Sequence, residues 1–306
     1  VKTKLAVSMK AKRAMPNKRR EPARFVLMPR DKEIIRAVFR HRFLTRDQLQ
    51  RVIGWDCLPK VNSRLRKLYD SGYLNRRFLP VQYGSPPAIY TLGPAGIAEI
   101  KQTQDQTIKH IRRNSRQDRR MSDRLLHHTL ATSEFVTVMI DAARRTKSVK
   151  WFPWLSDRSV LLSMQSFFQR IKPDGLLSYE FDGRRFNFFV EVDTGSESHR
   201  RILKKLEEYH RLIESKVLGE KFPGLTRFAV LIVTLTQNRA HSLSQSLKPS
   251  PSPPVLIGSL PQLEKDPFFG QAWRQPGRTN PMPLHQNNPL LKDTSPNAVL
   301  PSLQKT

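Results

Sequence analysis

The sequence predicts a mixed α/β (α+β) protein with two folded parts: a small helical module closed by a β-hairpin, and a larger mixed sheet flanked by helices. Three observations predict it. Between residues 30 and 69 apolar side chains recur at helical spacing in three short segments, and two strand-like runs follow them. Farther along come a long apolar helix, strand-like runs, a hairpin, a second helix and the continuous apolar run FAVLIVTL. Both ends differ from these parts, the first by its density of basic residues and the last by its prolines.

Charge bounds the partners before any motif does. The chain has 306 residues, of which 54 are Lys or Arg and 26 are acidic, giving a formal net charge of +28. Self-repulsion on that scale calls for a polyanion, and nucleic acid is the expected one. No apolar run approaches the 18 or so residues of a spanning helix, so a soluble, cytoplasmic protein without a membrane partner is expected. The single cysteine, Cys57, excludes an internal disulfide and a thiolate metal cluster. A buried thiol in a reducing compartment is its expected state.

Residues 1–24 carry nine Lys or Arg against Glu21 alone, which predicts a basic disordered arm. The first folded domain is expected over 25–103. Ile34, Ile35, Val38 and Phe39 mark its first helix, and Thr45 with Gln48 three positions on reads as a capping box for the second. The third helix starts at Pro59 and aligns Val61, Leu65, Leu68 and Tyr69, leaving Lys60, Ser63, Arg64, Arg66 and Lys67 on other faces. Runs 73–79 and 88–92 then flank PVQYGSPP as a hairpin with a long tip. Three helices and a hairpin in this order resemble a winged helix-turn-helix. On that reading Lys60, Ser63, Arg64, Arg66 and Lys67 face duplex DNA from a helix in the major groove, and Arg76 and Arg77 touch the backbone. A solvated basic face on a protein-interaction module is the plainer alternative.

Residues 104–122 read as a linker or an exposed helix, and the periodicity does not choose between them. The second domain is expected over 123–240. Its opening helix, LLHHTLATSEFVTVMIDAARR, is apolar around most of its circumference, yet Glu134 falls between Leu130 and Val138. A carboxylate there needs a metal, a base, a water or an arginine. His127 and His128 diverge by about 100° on a helix, so they cannot clamp one metal, and a structural role is expected of both. Strand-like runs follow at 150–155 and 158–164.

Next comes PDGLLSYEFDGRRFNFFVEVD, in which Asp182-Gly183 signals a tight hairpin turn. Folding there brings Asp174, at the start of one strand, opposite Glu191, near the end of the other. Paired acids ahead of a basic helix suit a hard divalent cation, which lets two carboxylates stay ionised side by side. On the following helix Lys205 lies toward the sheet-facing stripe of Ile202, Leu206 and Tyr209, whereas Lys204 points away, so Lys205 is the lysine expected to reach the acids. Residues 241–306 are expected to form a flexible tail, since 247–306 hold twelve of the 23 prolines.

These pieces together, RDKEIIRAVFRHRFLTRDQL, RLRKLYDSGYL, YTLGPAG, HTLATSEF, PDG and EVDTGSES followed by KLEEY, resemble the replication-relaxation family over roughly residues 30–236. The resemblance implies a winged helix followed by a PD-(D/E)XK nuclease-like domain, with a role in plasmid or mobile-element replication, DNA relaxation or transfer. It further implies replication or transfer proteins as partners and allows a homodimer. Pro173-Asp174 and Glu191 match the motif's two acids, and Glu134 matches a helical acid found in some nucleases of this fold. The motif's lysine position holds Asp193 instead. That departure shifts the lysine's role to Lys205 and makes Asp193 a third ligand for Mg²⁺ beside Asp174 and Glu191. The competing expectation is a non-catalytic DNA-binding regulator or initiator accessory with a degenerate nuclease-like domain. An RNA-processing factor stays open as well, because backbone charge does not separate DNA from RNA.

Overall fold

The computed structural model describes residue 19 and residues 25–79, 86–103, 108–152, 154–163, 171–215, 225, 227–249 and 253–285. The expectations for the arm, the hairpin tip at 80–85 and the chain beyond 285 therefore lie outside the described residues. The chain divides into two units: the first holds residues 1–50, 55–102 and 106–123, and the second holds 51–54, 103–105 and 124–306. Among the described residues no helix is long and apolar enough to cross a membrane.

In the first unit the elements run α1 (Pro29–His41), β1 (Leu44–Thr45), α2 (Arg46–Ile53), α3 (Leu58–Asp70), β2 (Leu74–Arg77), β3 (Ile89–Leu92), α4 (Pro94–Thr103) and α5 (Ile108–Arg119). The Thr45 box forms in both directions: the Thr45 amide donates to Gln48 Oε1 at 2.9 Å and the Gln48 amide to Thr45 Oγ1 at 3.3 Å. It thereby satisfies donors that the start of α2 leaves free. Val61, Leu65 and Leu68 of α3 are fully buried with Ile34, Ile35 and Val38 of α1. The three strands form an antiparallel sheet in the order β1-β3-β2. Of the two readings left open for 104–122, a helix is present over 108–119. Cys57 is exposed, a correction to the buried thiol, because it sits just before the first turn of α3 rather than on its apolar stripe.

The second unit continues with α6 (Asp123–Arg145), β4 (Val149–Trp151), β5 (Leu155–Ser156), α7 (Asp157–Ser163), β6 (Gly175–Phe181), β7 (Arg184–Asp193), α8 (His199–Glu214), β8 (Ala229–Thr234), α9 (Gln237–Ser246), β9 (Val255–Ser259), α10 (Leu260–Leu263) and β10 (Trp273–Arg274). Its seven-stranded sheet runs β10-β9-β8-β7-β6-β4, with β5 also paired to β6; the β7-β8 and β8-β9 pairs are parallel and the others antiparallel. Both faces are covered. Leu231 and Val233 of β8 share one cluster with Phe135, Val136 and Met139 of α6, while Val230 and Ile232 share the other with Ile202 and Tyr209 of α8. Such double coverage is why β8 is buried at every position and apolar at all but Thr234.

Two expectations fail here. Residues 157–163 form a helix rather than a strand. The chain beyond 247 is not free of regular structure either. Val255–Ser259 forms a sheet strand with all five residues buried, and Trp273 is fully buried with its indole N–H donating to the Pro267 carbonyl at 2.8 Å. The prolines at 253 and 254 precede that strand instead of interrupting it, and a proline there removes no ladder hydrogen bond inside the strand.

Candidate active site

The site is built on the hairpin. Asp182 and Gly183 take positive φ of 49° and 70°, the conformation that a two-residue turn matched to strand twist demands. The register pairs Gly175 with Val190 and Phe181 with Arg184, so one step beyond the ladder Asp174 stands opposite Glu191. The Asp174 amide donates to the Val190 carbonyl at 2.9 Å, and its carboxylate Oδ2 accepts from the Val192 amide at 2.7 Å. These bonds hold the aspartate across the open end of the hairpin.

Glu191 is 6% exposed and both its oxygens are used. Lys205 Nζ lies 2.8 Å from Oε2, and the Tyr209 hydroxyl donates to Oε1 at 2.7 Å. Lys205 and Tyr209 sit four residues apart on α8, one above the other on its inner face, which is how one helix supplies both. Burial, reinforced by the neighbouring Asp174 charge, pushes the Glu191 carboxyl up to about 7 although Lys205 and Tyr209 draw it down. Burial works against the Lys205 charge, yet the Glu191 and Glu197 carboxylates outweigh it and raise its pKa. Glu197 Oε2 is 3.0 Å from Nζ, so the ammonium bridges two acids. Lys204 is exposed, as the helical wheel requires.

His128 reaches this corner from α6. Its Nε2 is 2.9 Å from the Val192 carbonyl and 3.4 Å from Asp174 Oδ2. Burial works to lower its pKa, but Asp174 and the Val192 carbonyl raise it overall. His127 is exposed, in keeping with the divergence of adjacent helical residues.

Asp193 has partners of its own. Its Oδ2 accepts from Arg239 Nε of α9 at 2.6 Å and its Oδ1 from the Gly195 amide at 2.8 Å. At 3% exposure both its oxygens accept from protein donors, as those of Glu191 do, and it lines one small pocket with Glu191, Glu197 and Lys205. Arg239 also donates to the Glu197 carbonyl at 2.6 Å and lies 3.0 Å from His199 Nε2, pinning the loop that presents Glu197. Glu134 is likewise engaged elsewhere, in an ion pair with Arg51; of the partners its burial called for, it has an arginine. Among the described residues no group of three or more His, Cys, Asp or Glu side chains is arranged to hold a metal ion.

The residues expected to touch DNA divide by what they contact. Lys60, Ser63 and Lys67 are exposed on α3. Arg64 pairs with Asp31, whose exposure is 0%, so its guanidinium neutralises a buried acid. Arg66 Nε donates to Asp70 Oδ2 at 2.7 Å, and Arg76 lies 3.7 Å over the Tyr69 ring. Arg77 donates to the Met121 carbonyl at 2.7 Å and to Asp123 at 2.5 Å. These contacts give Arg64, Arg66, Arg76 and Arg77 structural partners within the first unit.

His128, Tyr209, Glu197 and Arg239 were not singled out as site residues. Tyr209 carried a signal, being one turn beyond Lys205 on the same face; the others depend on how helices lie over the sheet or on the course of the loop after β7, which periodicity does not encode.

The sequence profile of a family described as Replication-relaxation matches residues 35–225. A search of curated proteins returns no match. Among solved structures the chain is similar to the restriction endonuclease FokI, with a TM-score of 0.26 and 12% identity over 77% of this chain and 42% of that one. It is also similar to FokI bound to DNA, with a TM-score of 0.23 and 13% identity over 77% and 43%. The chain therefore spans less than half the length of these structures, and likeness at such scores carries no inference about the site.

Proposed function

Because the chain belongs to the replication-relaxation family, we propose that it processes DNA during replication, relaxation or transfer of a plasmid or mobile element, and that it nicks a phosphodiester with the help of a divalent metal. The observation that carries the cleavage reading is Glu191: a buried carboxylate beside Asp174, with the Lys205 ammonium 2.8 Å away. Acid, acid and cation on a hairpin and the next helix are the groups that metal-assisted hydrolysis needs.

The residues fit a hard cation in one respect above all. Glu191 is driven up to about 7 by burial and by the like charge of Asp174, a repulsion that a cation held by both would relieve. Such an ion, Mg²⁺ or a similar one, would supply Lewis-acid activation of a water and a phosphate oxygen. The rest falls to the chain. Lys205 would leave Glu191 Oε2 while keeping Glu197, its second partner, and would place its ammonium against charge developing on the phosphate. Tyr209 would keep Glu191 oriented through Oε1. His128 would hold Asp174 through the proton on Nε2. In the first unit we propose a winged helix that engages duplex DNA through the exposed Lys60, Ser63 and Lys67.

A second reading, a non-catalytic DNA-binding regulator or initiator accessory, is favoured by one observation: Arg239 fills the space around Asp193, the position of the motif's lysine. One experiment separates the two. Supercoiled plasmid incubated with the protein and Mg²⁺ or Mn²⁺ should be converted to open circles, and Asp174→Ala or Glu191→Ala should abolish the conversion. Plasmid that stays supercoiled while bound by protein would leave only the regulator.

A further inference from the structure

The helix that delivers Lys205 to Glu191 carries more positive charge on its outer side than its own packing uses. Arg200, Arg201 and Lys204 are exposed on α8. Arg201 contacts Glu197 at 3.4 Å, whereas Arg200 and Lys204 have no acidic partner among the described residues. At 100° per residue Lys204, Arg201 and Lys205 succeed one another around the helix, from its solvent apex to the edge that meets Glu191. Arg200 lies one turn before Lys204. Four residues of helix rise about 6 Å, on the order of the rise of two nucleotides along a duplex axis, about 3.4 Å each. The helix also begins there, capped by Ser198, whose Oγ accepts from the Arg201 amide at 3.3 Å, so its positive end adds to the same field.

From this we infer that the second unit has its own nucleic-acid contact surface: Arg200, Arg201 and Lys204 form a cationic strip that holds the sugar-phosphate backbone of DNA alongside the Glu191 corner. The inference rests on the DNA-processing reading but not on cleavage. The strip positions a strand without reading its sequence, since cations on an exposed helical face meet phosphates and not base edges. It also gives the two unpartnered cations a function that intramolecular pairing does not.

The test is the salt dependence of DNA binding by the full chain, read by fluorescence anisotropy on a labelled duplex between about 50 and 200 mM salt. Two phosphate contacts contribute about 1.8 to the slope of log affinity against log salt. Arg200→Glu/Lys204→Glu should therefore lower the slope by about that amount and weaken binding roughly tenfold or more near 0.1 M salt. Lys265→Glu/Arg278→Glu, an equal charge change at exposed positions outside α8, should leave the slope unchanged. An unchanged slope in a strip variant with native circular dichroism overturns the inference, and so does an equal loss in the control pair. A reduced slope together with an inert plasmid assay would retain the strip and remove only cleavage.

Discussion

Replacing Arg64 with alanine should damage the first unit's stability before it touches any affinity for DNA. Asp31 is wholly buried and takes Arg64 as its charge partner; stripping the partner from a buried ion typically costs about 3–5 kcal/mol. Lys67→Ala, at an exposed position of the same helix, should change stability by no more than about 0.5 kcal/mol. Urea unfolding of both variants measures the difference, and equal midpoints would mean that the Arg64 pair holds nothing together. The same contrast marks what was legible residue by residue. Asp174, Glu191 and Lys205 followed from strand register and helical angle, two quantities that the chain's own spacing fixes. The pairing of Arg64 with Asp31 was not legible, because a basic residue off the apolar stripe looks alike whether it faces solvent or a buried acid on another helix. The partner of Asp193 was hidden for the same reason, Arg239 lying 46 residues away.

Among elements, the β6-β7 hairpin was the most legible, since Asp182-Gly183 between apolar runs admits few other conformations. Gly183 has φ of +70° and a Cβ built on it would meet nothing within 4 Å. The penalty of Gly183→Ala should therefore be conformational alone, about 1 kcal/mol, seen as a lowered denaturation midpoint of the second unit. A loss of several kcal/mol would point to a packing role that the open space excludes. The sheet's double coverage was readable from FAVLIVTL, and the second helix from its capping box. The helix α7 was not, because seven residues with three apolar side chains satisfy strand and helix periods almost equally. Nor was β9, since Pro253 and Pro254 draw attention away from the VLIGS that follows them.

For the whole molecule, charge was legible and completeness was not. A net charge of +28 pointed to a polyanion from composition alone, but twelve prolines made the last sixty residues look expendable when 253–285 supply strand β9 and the buried Trp273. A chain ended at residue 249 should therefore lose β9, one of β8's two parallel neighbours, and it should sediment as aggregate where the full chain stays in solution; a monomeric, cooperatively unfolding truncation would contradict this. The order of strands has a consequence for biosynthesis. Because β8 sits in the interior of the sheet and its outer neighbour is encoded more than twenty residues later, a ribosome adding about 5–20 residues per second extrudes β8 seconds before β9 exists. During that interval the nascent chain exposes a bare, largely apolar strand edge, the kind of surface to which a holding chaperone binds. The first unit, by contrast, has already emerged with all of its strands.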